Sequence, residues 1–394
     1  MRGASRIAAI LLVIWAAQAI LSFTGDRKTA HFDEQIHLAH GYIYWTQGDY
    51  RPGHDTPPLA HMAETFPLLF MNLRLPDGWQ TLDKWTLGDR FVNQNAAPAA
   101  RILLWGRLPV VGFGLLLGWM LWRWTASLAG PAAGLTALAL FAFDPLHLSR
   151  AWFVGSDLTL SCLALAATWA WWRALGSGRA RDALMAGALA GAAIATKFSA
   201  LFLLPSHALL AFIVSRTSYE LPGDAGSLVV RRGGARPRPA VPLVRLTAAA
   251  GLAAVAVLLL VYQGGNLTEF AAGFQEQMRA VKGGFHNFFN GHYSATGWWY
   301  FFPVAFLVKT PIPILFLSLG GVWAAWRNPD LRRHLPALLI PPAVLFLLAC
   351  RSSVQLGLRY ILPLYPFLMI LGGLAATAMM RRTAGRIVLG GLLL

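Results

Sequence analysis

The sequence predicts an all-α protein that spans a membrane about 10–11 times, and three observations support this fold class. Of the 394 residues, 56% are hydrophobic. Only 13% are Asp, Glu, Lys or Arg, about half the share usual in soluble domains. The mean hydropathy is +0.52, and charge-poor apolar runs recur along the chain. This composition excludes a soluble enzyme, a disordered chain and a small secreted module built on disulfides.

Apolar runs of about 17–25 residues predict ten spans and the start of an eleventh. The first is interpreted as an uncleaved anchor, because its hydrophobic run continues past Ala17-Gln18-Ala19. The eleventh begins at 387 and stops at Leu394, so we expect a single transmembrane domain over 1–394 that is truncated at its C-terminal end. The ten complete spans lie near 7–24, 102–122, 130–146, 156–172, 183–196, 199–215, 246–262, 299–324, 335–350 and 360–380.

Basic residues are distributed unevenly between the two sides of the predicted membrane. With the N-terminus in the cytoplasm, the cytoplasmic segments hold more than half of the 33 Lys and Arg but only about a quarter of the 17 Asp and Glu. This asymmetry follows the positive-inside rule, so the net charge of +16 is a topological signal and not a nucleic-acid surface. Three long loops result, which are an external loop over 25–101, a basic cytoplasmic loop over 216–245 and an external loop over 263–298.

The first external loop is predicted to contain two helices. In the first, positions 33, 37, 40 and 44 share one helical face, which places Asp33, His37, His40 and Tyr44 side by side. The second, over 57–69, is amphipathic with Pro in its first turn. We expect these helices to lie in the membrane interface, since an amphipathic helix of this kind rests on a bilayer and does not cross it.

Acidic residues cluster on the external side. Asp33 and Glu34 follow the first span, where they either complement a helix dipole or act as a general base at the lipid–water boundary. Asp157 lies at the external mouth of the fourth span. An acid in that position is costly, which makes it a candidate functional residue, although a helix cap is the alternative interpretation.

Three basic residues lie where positive charge is also costly, namely Arg107, Lys309 and Arg359. They are candidates for holding a lipid-linked phosphate, and snorkelling to headgroups is the alternative for each. Lys197 marks the turn of a tight helical hairpin and is interpreted as mainly structural.

A divalent metal ion is possible but carries no strong signal. The candidate ligands are His37, His40, His54, Asp55 and His61, whose spacing matches no tight ligand motif. The metal requirement therefore stays open.

Five segments of the chain occur together in one order that is typical of a known family. On these segments the sequence resembles the membrane-embedded lipid-phosphate-sugar glycosyltransferases of the GT-C class, most closely the bacterial branch related to protein O-mannosyltransferases and to the lipid A aminoarabinose transferase. The segments are Phe32-Asp33-Glu34 through Gly48-Asp49-Tyr50, Thr56-Pro57-Pro58-Leu59-Ala60, Gly155-Ser156-Asp157-Leu158, Trp298-Trp299-Tyr300-Phe301-Phe302-Pro303 with Lys309-Thr310-Pro311, and Arg359-Tyr360-Ile361-Leu362-Pro363.

The resemblance implies an enzyme that moves a sugar from a polyprenyl phosphate to an acceptor hydroxyl, with inversion, at the periplasmic face of a bacterial inner membrane. It implies that Asp33 is the general base with Glu34 beside it, and that Asp157 is a second active-site carboxylate. The implied donor-phosphate contacts are Arg359 and, more weakly, Lys309 and Arg107. Further candidates for the acceptor and the loop are His37, His54, Asp55 and Tyr360.

One departure from the family concerns the Pro-Pro pair, which relatives often precede with His and this chain precedes with Thr56. The expected partners are a polyprenyl-phosphate-linked sugar, a periplasmic acceptor (protein, lipid or glycan) and the lipid bilayer, with no nucleic acid. The alternatives are a multispan transporter or flippase of a lipid-linked or anionic solute, and a non-catalytic assembly subunit. Transporters place ionisable groups near the bilayer midplane, whereas here the acids lie at one mouth.

Overall fold

The computed structural model describes residues 2–23, 30–216 and 243–380, and most of these residues are helical. One short antiparallel hairpin is formed by β1 (Asn287–Phe289) and β2 (His292–Ser294). The helices are α1 (Arg2–Phe23), α2 (Phe32–Gln47), α3 (Leu59–Thr65), α4 (Lys84–Asn93), α5 (Ala99–Ala129), α6 (Pro131–Ala142), α7 (Pro145–Ala151), α8 (Ser156–Ser177), α9 (Ala180–Ile194), α10 (Leu203–Arg216), α11 (Leu243–Val261), α12 (Leu267–Gly283), α13 (Phe301–Lys309), α14 (Ile312–Arg327), α15 (Pro329–Arg332), α16 (Leu335–Cys350) and α17 (Tyr365–Met379).

The predicted all-α polytopic class is confirmed, and every predicted complete span coincides with helix. Over the described residues, five helices are long and apolar enough to cross a membrane, or up to seven if two bent pairs each count as one span. These five are α1, α5, α11, and α10 and α17 together with the 3₁₀ turns that precede them. Helices α8, α9 and α16 also form at their predicted positions.

Two predicted spans are broken in the structure. Helices α6 and α7, of which α7 extends beyond predicted span 130–146, meet at 62°. Helices α13 and α14, of which α14 extends beyond predicted span 299–324, meet at 106°. Each break comes immediately before a proline, Pro145 or Pro311. Proline lacks an N–H and disfavours helical geometry in the residue before it, so each helix ends there and a new one begins at the proline or next to it.

Close packing of small residues joins α9 to α11. A Cβ added at Gly187 would lie 2.0 Å from the carbonyl oxygen of Ala250, and one added at Gly191 would lie 2.6 Å from that of Ala254. Small residues four apart allow two helix backbones to approach closely, as in other membrane helix pairs. Helix α8 is buried along most of its length and carries the site described below.

The described part of the loop that was predicted over 25–101 is mostly folded into short helices. The two predicted loop helices are present as α2 and α3, and α3 continues into a 3₁₀ turn over Phe66–Phe70. Helix α4 joins them around a separate apolar cluster that includes Leu38, Ile43 and Phe91. The predicted cytoplasmic loop 216–245 and the predicted eleventh span from 387 fall largely or wholly outside the described residues.

Candidate active site

Helix α2 begins with a capping box that orients the two acids in its first turn. The main-chain N–H of His31 donates to Glu34 (2.8 Å), while the His31 ring accepts from the N–H of Asp33 (3.4 Å). This reciprocal arrangement fixes the start of the helix. Because consecutive residues on a helix point in different directions, the two carboxylates enter different environments.

Glu34 is fully buried and its carboxylate is saturated with hydrogen bonds. It accepts two parallel bonds from the guanidinium of Arg107 (2.9 and 2.7 Å) and one from the main-chain N–H of Val154 (3.0 Å), besides the bond from His31. Arg107, on α5, is itself only 2% exposed. Arg107 was predicted to contact donor phosphate, but the structure directs its guanidinium to Glu34.

Asp33, in contrast to Glu34, is partly exposed to solvent. Its carboxylate is 33% exposed, and its Oδ2 lies 3.6 Å from Nη1 of Arg359. Arg359, just before α17, is also partly accessible. The two residues come from opposite ends of the sequence, so the fold brings the predicted base and the predicted phosphate contact together.

Asp157, in the first turn of α8, is buried and paired with a lysine. Its Oδ1 lies 2.5 Å from Nζ of Lys197, and the same Nζ lies 5.0 Å from the centre of the Tyr360 ring. The guanidinium of Arg359 lies on this ring as well, at 5.7 Å. Tyr360 therefore packs against both cations, and Lys197 lies beside Asp157 although its position in a tight turn indicated a mainly structural role.

Arg150, on α7, links the two acids electrostatically. Its guanidinium interacts with the charges of Asp33, Asp157 and Arg359, and it packs over the ring of Phe153 at 5.4 Å. Sequence reasoning did not identify this residue, because it lies within a predicted span–loop junction without a motif. Its position seven residues before Asp157 was the one available signal.

Three histidines, His37 and His40 on α2 and His61 on α3, form a largely buried cluster outside the membrane spans. The rings of His37 and His61 are 4.2 Å apart, and the Nδ1 of His37 is hydrogen-bonded to the carbonyl of Val154 (3.0 Å). Burial lowers the pKa of His37 and lowers that of His61 further. Burial likewise lowers the pKa of His40 to about 3. All three rings are therefore neutral near pH 7.

The remaining predicted candidates form no ion pair with Asp33, Asp157 or Arg359 among the described residues. Nε2 of His54 lies 2.5 Å from Glu276 on α12, and Asp55 pairs with Lys84 at 3.0 Å. Lys309 is exposed at the end of α13, and within the described part of the chain it forms no ion pair. In the same part of the chain, no group of three or more His, Cys, Asp or Glu side chains is arranged to hold a metal ion.

An open groove of about 440 Å³ lies beside the first turn of α2. One wall is formed by Phe32 and Trp85, whose rings stack at 4.0 Å, and the other residues that line it are polar or charged. Phe32 is the neighbour of Asp33 in the chain.

Comparison with known proteins agrees with this architecture. A family model described as dolichyl-phosphate-mannose-protein mannosyltransferase matches residues 104–223. None of the curated protein sequences compared with the chain matches it.

Solved structures match over almost the whole chain. ArnT from Cupriavidus metallidurans bound to undecaprenyl phosphate is similar with a TM-score of 0.65 at 18% identity, covering 98% of this chain and 62% of that one. AglB from Archaeoglobus fulgidus, in complex with an inhibitory peptide and a dolichol-phosphate, is similar with a TM-score of 0.56 at 15% identity, covering 98% and 51%. At these identities the similarity shows a shared fold, and the chain spans about half to three-fifths of these proteins.

Proposed function

We propose that this chain, which belongs to the GT-C structural class, is a glycosyltransferase that moves a sugar from a polyprenyl-phosphate donor to an acceptor hydroxyl. The observation that carries the proposal is the pairing of a partly exposed carboxylate with a cation (Asp33 with Arg359) beside a second, buried pair (Asp157 with Lys197). Two proteins of the same fold were solved with a polyprenyl phosphate or a dolichol-phosphate, which supports a donor of this class.

In this proposal Asp33 is the general base. Its exposed carboxylate takes the proton of the acceptor hydroxyl while the acceptor oxygen attacks the anomeric carbon of the donor sugar. The bond between that carbon and the phosphate oxygen breaks, and polyprenyl phosphate leaves with the electron pair. A single displacement of this kind inverts the anomeric configuration.

The leaving phosphate gains negative charge as the bond breaks, so fixed positive groups stabilise the transition state. We assign this role to Arg359, with Lys197 and Arg150 beside it, because the charges of all three act on Asp157 and those of Arg359 and Arg150 also act on Asp33. Asp157 holds Lys197 in place. Lys309 is a weaker candidate, since it lies at the exposed end of α13.

Glu34 and Arg107 receive a different role from the one the resemblance implied. Both oxygens of Glu34 are occupied by hydrogen bonds and the residue is inaccessible to substrate. We therefore propose that this ion pair has a structural role, in which it joins α2 to α5 next to Asp33.

We place the site at the periplasmic face of a bacterial inner membrane, with the N-terminus in the cytoplasm. The distribution of Lys and Arg between the loops supports this orientation, because it leaves the segments that carry Asp33 and Asp157 on the less basic side. The acceptor is a protein, a lipid or a glycan that presents a hydroxyl at that face.

The test is transfer by the purified protein in proteoliposomes. Synthetic undecaprenyl-phosphate hexoses and pentoses with labelled sugars serve as donors, and envelope extract from cells that lack the gene serves as the acceptor source. We expect label in an acceptor from at least one donor, with loss of transfer in Asp33→Asn. Movement of labelled donor across the bilayer without transfer to any acceptor would instead support the transporter alternative.

A further inference from the structure

The turn that precedes Asp157 is held by side chains of the external loop. Its three consecutive main-chain polar groups each have a side-chain partner. The N–H of Val154 donates to Glu34 (3.0 Å), the carbonyl of Val154 is bonded to His37 (3.0 Å), and the N–H of Gly155 donates to Glu64 (2.8 Å). Glu34 and His37 lie on α2 and Glu64 lies on α3. The turn is therefore fixed by two separate helices.

The position of this turn determines the position of Asp157. Gly155 is the residue before α8, and Asp157 is the second residue of that helix. A displacement of the turn therefore moves the Asp157 carboxylate relative to its partner Lys197 and relative to Asp33. Glu34 is the neighbour of Asp33, so the same contacts couple the placement of the two functional acids.

Among the described residues, the Glu64 side chain has one hydrogen-bond partner, the main-chain N–H of Gly155. It is fully buried, and while its Oε1 accepts from Gly155, its Oε2 has no hydrogen-bond partner. Burial, with the nearby charges of Glu34 and Asp157, raises the pKa of Glu64 well above its usual range. Its surroundings therefore favour the protonated carboxyl group, as expected for an acid this deeply buried without a cation.

We propose that Glu64 is a positioning residue of the transfer reaction, which holds the Val154–Gly155 turn and thereby sets the placement of Asp157 opposite Asp33. This inference rests on the proposed function, since it gives Glu64 a role only through the active-site carboxylate. Glu64 touches no substrate in this arrangement, so its replacement affects the catalytic step more than the binding of donor.

The test compares two replacements of Glu64. In Glu64→Gln a neutral side chain of the same shape still accepts from Gly155, and we expect kcat and KM for donor within about threefold of the parent protein. In Glu64→Leu the acceptor is lost, and we expect kcat to fall about 100-fold with little change in KM, since a misplacement of about 1 Å can have that effect. Binding of undecaprenyl phosphate alone should be equal in both variants.

Two further variants separate positioning from general damage to α3. Thr65→Val removes a buried hydroxyl of the same helix that bonds only within the helix, and it should retain kcat. Gly155→Ala leaves Glu64 intact but brings a Cβ to 2.6 Å from the ring of Phe153, so it should shift the turn and lower kcat.

Unchanged kcat in Glu64→Leu would overturn the inference. So would an equal loss in Glu64→Gln and Glu64→Leu, because it would assign the carboxyl a chemical role that an amide cannot fill. The proposed function fails separately, if the parent protein transfers no sugar from any donor. If Glu64→Leu does not fold, Gly155→Ala decides the question with the same kinetic measurement, and unchanged kcat in that variant refutes positioning through the turn.

Discussion

Asp33 and Glu34 are adjacent in the chain and identical in charge, yet the structure gives them opposite surroundings. Glu34 is fully buried and accepts four hydrogen bonds, two of them from one guanidinium. Asp33 is 33% exposed, and its nearest ion-pair partner among the described residues is Arg359, at 3.6 Å. A carboxylate whose lone pairs are all occupied can organise a site, whereas a general base must keep one accessible to the substrate.

The same contrast separates the arginines that contact these acids. The buried Arg107 forms a bidentate pair with Glu34, in which its Nε and Nη2 each donate a hydrogen bond to one carboxylate oxygen. Arg359 meets Asp33 at a longer distance and also lies over the ring of Tyr360, so it can turn towards an incoming phosphate. The difference lies in burial and geometry, because both residues carry the same side chain.

The largest expected effect is on Asp33, where the comparison predicts loss of activity without loss of stability. Asp33→Asn keeps the shape of the side chain but removes the base, and we expect transfer to fall by about 10²–10⁴-fold. The thermal unfolding midpoint should stay within about 2 °C, since the residue is partly exposed and only weakly paired. Transfer at the parent rate would remove Asp33 from the mechanism.

Glu34→Ala should lower the stability of the protein, which the Asp33 variant should not. It leaves the Arg107 guanidinium buried without its anion, and breaking a buried pair in this way lowers stability by about 3–5 kcal/mol. We expect a large drop in the unfolding midpoint in detergent. The double variant Glu34→Ala with Arg107→Met should recover part of that stability. If it recovers none, the ion pair is not what Glu34 contributes.

The sequence predicted the polytopic fold and the two loop helices from hydropathy and helical periodicity, and the resemblance implied that Asp33 and Arg359 act in one site. It could not separate the roles of Asp33 and Glu34. That distinction depends on Arg107 and on the Val154 N–H, which lie 73 and 120 positions further along the chain. The residues next to Asp33 and Glu34 in the chain therefore do not indicate which of the two acids is buried.

Lys197 and Arg150 show a second limit of sequence reasoning. Arg150 lies in the last turn of α7 and Lys197 in the turn after α9, where a basic residue has an ordinary structural explanation. Their approach to Asp157 depends on how the helices pack. The breaks at Pro145 and Pro311 were also visible as prolines in the sequence. Hydropathy alone still joined each pair of helices into one span, because apolar character continues across the bend.

Lys197 and Lys309 allow a matched test of where the proposed donor phosphate binds. We expect Lys197→Met to weaken donor binding by about 10–100-fold, the effect of removing a hydrogen bond to a charged group, since Lys197 lies beside Asp157 in the site. Lys309→Met, at an exposed helix end, should change it less than about threefold. Titration with undecaprenyl phosphate measures both. Equal effects of the two replacements would move the phosphate towards α13.

The smallest expected effect concerns the histidines behind the acids, and it appears in the pH dependence of stability. Burial lowers the pKa of His40 to about 3, whereas an unfolded histidine titrates near about 6.5. Between these values the unfolded chain binds a proton that the folded chain does not, so the free energy of unfolding falls as the pH falls from 6.5 towards 3. At pH 5 this one group accounts for about 2 kcal/mol.

Replacement of His40 by glutamine removes that titration whatever it does to stability at neutral pH. The unfolding midpoint should therefore depend less steeply on pH between 7 and 5 in His40→Gln than in the parent protein. Part of the slope should remain, because burial lowers the pKa of His37 and His61 in the same direction. An unchanged slope would mean that His40 has the same pKa in the folded and unfolded chains, and thus that water reaches its ring in the folded protein.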